Sequence, residues 1–139
     1  MKRTRYTIQP EAREALIRRL AAELEEESVV GFAYLYGSLL ESHPVHDIDV
    51  GLYFRESLSE RNSALAAELS GRLTVAAGIP VDVRVLNDAP VSFLYHVLRG
   101  RLLMIRDETL LTTIIEDVAR RYLDLAPLLR QGTKDAFAA

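Results

Sequence analysis

The sequence predicts an α/β domain in which about four strands form a mixed sheet with helices packed on it. Three observations lead there. Amphipathic helical segments and uncharged or alternating strand segments follow one another in the order α, β, β, α, β, α, β, α. The 139 residues suit one domain with one core. No apolar run approaches the roughly 20 residues that cross a bilayer.

The first helix opens at Pro10, which suits a first helical position, and Glu11 and Glu14 suit the positive end of its dipole. Ala12, Leu16, Leu20 and Leu24 recur every fourth residue, and Ile17 and Ala21 widen the stripe. The helix should end near Glu27, where Glu25 to Glu27 crowd the negative end and read as a solvated terminus. Val29 to Tyr36 is uncharged, β-branched and aromatic, so it reads as a buried strand broken by Gly37-Ser38. A polar loop from Glu41 to His46 leads to a second strand, Asp47 to Phe54. Ser57 and Glu60 have capping-box spacing before a helix with Leu65, Leu69 and Leu73, which Gly78-Ile79-Pro80 ends. Val81 to Leu86 is a third strand. Asn87 to Pro90 starts a short helix ending at Gly100, and Arg101 to Ile105 is a fourth strand. Asp107 can cap a last helix that Pro127 should end or kink.

Composition narrows the function. There is no cysteine, which excludes disulfide scaffolds, thiol catalysis and cysteine-based zinc sites. Net charge is −3 and the pI about 5.6, and the arginines are dispersed among glutamates, so a nucleic-acid partner is disfavoured. The basic start at Met1 to Arg5 is not followed by an apolar stretch of the kind a secretory leader carries, and a cytoplasmic address without membrane attachment is expected.

The chemistry concentrates in two short stretches. Asp47 and Asp49 are two apart on a strand, so both carboxylates share one face while Ile48 and Val50 face a core. Paired carboxylates repel unless a cation holds them, and all-oxygen ligands favour Mg²⁺ or Mn²⁺. Gly37 lets the backbone bend and approach an anion, and Ser38 adds a hydroxyl and an N–H, so the pair can cradle phosphate. Asp82 sits in an alternating strand. Beside the Asp47 strand it could join the metal site or accept a proton from an attacking hydroxyl. Arg84 shares its face and could pair with it or steady a phosphate.

Tyr36-Gly37-Ser38, Asp47-Ile48-Asp49 and Val81-Asp82-Val83 together resemble the signature of the DNA polymerase β-type nucleotidyltransferases. The small size resembles their minimal, MNT or MntA-like, antitoxin group, as do Val85 to Pro90 and Gly100 to Leu103. The resemblance covers roughly Val29 to Asp107. It implies a nucleotidyltransferase fold; the domain is expected to span 1–130, with 131–139 as a flexible tail by its terminal position. It implies Asp47, Asp49 and Asp82 as catalytic metal ligands, Gly37 and Ser38 as phosphate binders, and ATP as substrate. It further implies transfer of AMP to a tyrosine of a HEPN-type ribonuclease toxin, which silences that toxin. Two departures stand out. The spacer from Leu39 to His46 is short, and Leu39-Leu40 stand where an arginine and a glycine commonly follow Gly-Ser.

With four strands and four helices consuming the chain, the acceptor site must come partly from another protein or subunit. Tyr6, Phe93, Tyr95 and Tyr122 are candidate interface aromatics by type, and a homo-oligomer stays open. Plainer readings stand beside these. Asp47 and Asp49 could guard an edge strand, Asp82 could simply pair with Arg84, and Gly37-Ser38 could be an ordinary turn. His43 and His46 have metal-like spacing but no third ligand nearby, and His96 reads as structural. The alternative to the enzyme is an inactive module of the same fold that neutralises its partner by binding alone. A free-standing antibiotic- or nucleotide-modifying enzyme is a third option, disfavoured by size.

Overall fold

The computed structural model describes residues 6–37, 39 and 45–137. The order is α1 (Pro10–Glu25), β1 (Val30–Tyr36), β2 (Ile48–Phe54), α2 (Ser59–Ala77), β3 (Val81–Val85), α3 (Val91–Leu98), β4 (Arg101–Ile105) and α4 (Glu108–Phe137). The strands form one sheet in the order β3-β2-β1-β4. β1 pairs antiparallel with β2 and β4, while β2 and β3 run parallel, so the sheet is mixed. No helix among the described residues is long and apolar enough to cross a membrane.

Strand alternation divides the core. Ala33, Leu35, Val50, Leu52 and Val83 face α1 and α2, meeting Ile17, Leu20 and Leu24 on one helix and Ala66, Leu69 and Leu73 on the other. Phe32, Tyr34 and Tyr36 face the opposite way, against Leu94 and Val97 of α3 and Leu111 and Val118 of α4. Val30 breaks parity and joins the first face because the ladder slips between Val30 and Phe32. At Gly51 a Cβ would come within 3.0 Å of Leu86 and Val97, so α3 packs there directly on backbone.

The parallel pair needs a crossover, which α2 supplies. It also covers the free side of the edge strand. Val81 and Val83 donate their outward N–H groups to Thr74 Oγ1 (2.9 Å) and Ser70 Oγ (3.0 Å), one helical turn apart. Beyond β3, the Asn87 side chain imitates a strand. Its Oδ1 accepts from Phe54 N–H (2.8 Å) and its Nδ2 donates to Phe54 C=O (3.0 Å), before Asp88 turns the chain at φ 64°.

Several ends differ from expectation. α1 ends at Glu25, two residues early; Glu25 and Glu26 are exposed as expected, while backbone carbonyls around its end are engaged. Arg106 donates to the carbonyls of Glu25, Glu27 and Val30, satisfying acceptors that the helix leaves open, and Glu27 pairs with Arg72 of α2. The Ser57 capping box does not form. α2 starts at Ser59 after Leu58, without a side-chain cap, because buried Asn62 donates to Glu56 C=O (2.9 Å) and shapes the entry instead. Asp107 does cap α4, accepting from Leu110 N–H (3.0 Å). Pro127 does not end that helix. A proline's φ is itself helical, and the helix continues to Phe137.

Asn87→Ala leaves both backbone groups of Phe54 without their partner. It should lower the unfolding free energy by about 1–3 kcal/mol in a denaturant titration; wild-type stability would show that the mimicry contributes nothing.

Candidate functional site

The registers bring the motifs together. Tyr36 of β1 stands opposite Asp49 of β2, and Asp49 stands opposite Asp82 of β3, so the three form one row across the sheet. All three side chains therefore leave the sheet on the α3 side. Asp47 lies immediately before β2, half-buried like Asp49, while Asp82 is 48% exposed. Ile48 and Val50 turn into the opposite core, as the alternation requires.

Gly37 ends β1 at φ +83°, and a Cβ there would lie 2.3 Å from Asp49 Oδ2. Glycine is thus required twice, for the left-handed backbone and for the approach of the carboxylate to the turn. Ser38, His43 and most of the Leu39 to His46 spacer lie outside the described residues. Leu39 is fully buried in the α1/α2 core, which explains why no phosphate-facing cation stands at that position.

Electrostatics report the same convergence. The Tyr36 hydroxyl is pushed up to about 12, first by burial and then by the charges of Asp49, Asp82 and Asp47, against a lowering effect of Arg84. Its ring meets Phe93 and His96 of α3 edge-on, at 5.7 and 5.8 Å. Arg84 donates from Nε to Asp82 Oδ2 at 3.2 Å, and its guanidinium lies 5.8 Å from the Phe93 ring centre. That hydrogen bond, followed by the charges of Tyr36 and Asp82, holds Arg84 above its ordinary value.

Among the described residues no three histidine, aspartate or glutamate side chains gather closely enough to ligate an ion. Asp82 is turned toward Arg84 instead. The donor set still fits a hard divalent cation in its chemistry: the carboxylates of Asp47, Asp49 and Asp82 supply only oxygen, and Asp49 and Asp82 are neighbours in the ladder. A separate cleft of about 450 Å³, lined by Arg55, Arg61, Asn62 and Asp107, opens at the far end of β2 and shares none of these residues.

A sequence profile described as "Polymerase beta, Nucleotidyltransferase" matches residues 18–109, from within α1 to the first turn of α4. The chain belongs to this nucleotidyltransferase family. No curated protein matches it. Among solved structures it is similar to a tri-AMPylated Shewanella oneidensis HEPN toxin in complex with MNT antitoxin. There the TM-score is 0.68 at 18% identity, with 91% of this chain and 99% of that one covered. It is also similar to a toxin–antitoxin crystal structure with AMP-PNP, with TM-score 0.66, 20% identity and coverage of 90% and 98%. A MntA-HpeT toxin–antitoxin variant with two aspartate-to-glutamate substitutions gives 0.68, 19%, 91% and 98%. At these identities the likeness is one of fold, and the nucleotidyltransferase fold expected from the motifs is the fold found.

Tyr36 is the site residue that spacing alone passes over. Its parity on β1 was readable, but its place in the row depends on the β1–β2 register. The candidate interface aromatics are engaged within the chain. Phe93 packs on Tyr36, Tyr95 stacks on Tyr122 at 3.7 Å, and Tyr6 bridges to Val45 through backbone.

Two outcomes test this geometry. Gly37→Ala must displace the Asp49 carboxylate, and about 1–3 kcal/mol of stability should be lost; an unchanged melting temperature would refute the close approach. Tyr36 is protonated more tightly when folded than unfolded. Its contribution to stability is whole below about pH 10 and falls away as pH rises to about 12. Wild type should therefore lose more stability over that window than Tyr36→Phe, and parallel losses would contradict the assignment.

Proposed function

We propose that the protein is a metal-dependent adenylyltransferase that moves AMP from ATP to a tyrosine hydroxyl of a HEPN-type toxin, and so acts as an antitoxin. The observation carrying this reading is the row of Asp49 and Asp82, with Asp47 alongside, at the glycine turn that ends β1. Support for the partner and the nucleotide comes from the similar structures, one holding an AMPylated HEPN toxin with MNT antitoxin and one AMP-PNP.

Asp47, Asp49 and Asp82 hold Mg²⁺ or Mn²⁺, which when bound neutralises phosphate oxygens as charge develops on them. Gly37, with Ser38 after it in the chain, would offer the triphosphate backbone N–H groups and the serine hydroxyl. The acceptor oxygen forms a bond to the α-phosphorus on the side opposite the bridging oxygen. That bridge breaks and pyrophosphate leaves with its electron pair. Asp82, half-exposed and next to Asp49, takes the proton from the attacking hydroxyl. Transfer of this kind is chiefly positioning and charge stabilisation. The acceptor is held by the partner, since the chain's own elements are consumed in the sheet and its two helical layers.

A second reading is favoured by one observation. Leu39 is spent on the core where a cation would face phosphate, which suits a module that neutralises its partner by occupancy alone. Incubation of the protein with labelled ATP, Mg²⁺ and the product of the neighbouring gene separates the two. The enzyme reading expects label on the partner with wild type and background with Asp47→Ala/Asp49→Ala. Absence of label with wild type would overturn it, and toxin neutralisation surviving in the double variant would establish binding alone.

A further inference from the structure

Arg84 is placed to do more than balance Asp82. It is the next residue on β3 sharing the Asp82 face, across the ladder from Gly51, and the guanidinium rests against the Phe93 ring of α3. Among the described residues only its Nε is hydrogen-bonded, to Asp82 Oδ2 at 3.2 Å. The fork of terminal nitrogens, the part of arginine that matches phosphate bidentately, is not used by that bond. Both partners are well exposed, at 60% and 48%, so their pairing is weak and readily exchanged. If Asp82 helps to hold a divalent ion, its carboxylate would be shared between that ion and Arg84. The site meanwhile needs a cation. A nucleoside triphosphate is strongly anionic, three carboxylates line its approach, and Leu39 is buried in the core.

We infer that Arg84 is the exchangeable cation of the site: it neutralises Asp82 in the free protein and passes to a phosphate of the nucleotide when metal takes the carboxylate. This rests on the nucleotidyltransferase reading above and adds to it a residue that meets the charge of the triphosphate. Phe93 keeps the guanidinium at the site through the exchange, because a cation over a ring retains its attraction when its salt-bridge partner changes.

Calorimetric titration of the full chain tests the exchange with two probes, Mn²⁺ alone and ATP with excess Mg²⁺, in wild type, Arg84→Gln, Arg84→Lys and Asp49→Ala. Arg84→Gln should bind Mn²⁺ alone at least as tightly as wild type, since a competitor is gone. Its affinity for ATP should fall about tenfold or more. Arg84→Lys should recover part of that loss. Wild-type ATP affinity in Arg84→Gln overturns the inference while leaving the nucleotidyltransferase reading intact. So does a parallel loss of Mn²⁺ affinity and melting temperature, which marks a structural residue. A wild type that binds ATP no better than Asp49→Ala overturns both.

Discussion

The arrangement depends on one unfavourable contact, the parallel pairing of β2 and β3 that sets Asp49 directly beside Asp82. Like charges on neighbouring strands repel, so this register is not one that side-chain attraction would select. It is imposed from elsewhere. Val81 and Val83 must enter the apolar layer under α1 and α2, and a slip of one residue would turn them out and bring Asp82 in. Ser70 and Thr74 hold the other side of β3 through its outward N–H groups. The hydrophobic layer on one face thereby brings the carboxylates together on the other.

The two faces are closed to different degrees. α1 and α2 seal the first, and Arg106 ties the end of α1 to the start of β1 by taking carbonyls of both. α3 and α4 cover the second face over Phe32, Tyr34 and Gly51, while the Asp82 and Arg84 side chains at the β3 edge remain open to solvent. This is the side of the sheet on which Asp49 and Asp82 stand in one row. Tyr36 lines this boundary, its ring against α3 and its hydroxyl under the influence of all three aspartates.

Much of the fold was legible because its signals are local. Alternation on β3, the uncharged run of β1 and the leucine stripes each report burial within a few residues. The errors were local signals overruled by contacts from elsewhere. Ser57 has capping spacing, but Asn62 reaches Glu56 and moves the helix start. The glutamates at the end of α1 read as solvated, and Glu25 and Glu26 are exposed, while Glu27 is drawn to Arg72 of α2. Pro127 reads as a point where the last helix ends or kinks, and the helix does not end there.

The sequence by itself determined the element order, the opposite facing of Asp49 from Ile48 and Val50, and the need for glycine at the turn. These follow from the two-residue period of a strand and from sterics at a single position. Only the tertiary structure decided that Tyr36, Asp49 and Asp82 form one row, that Arg84 takes Asp82 and Phe93 together, and that Leu39 is lost to the core. Register between strands distant in sequence is set by the summed burial of both faces, a property that no single segment carries.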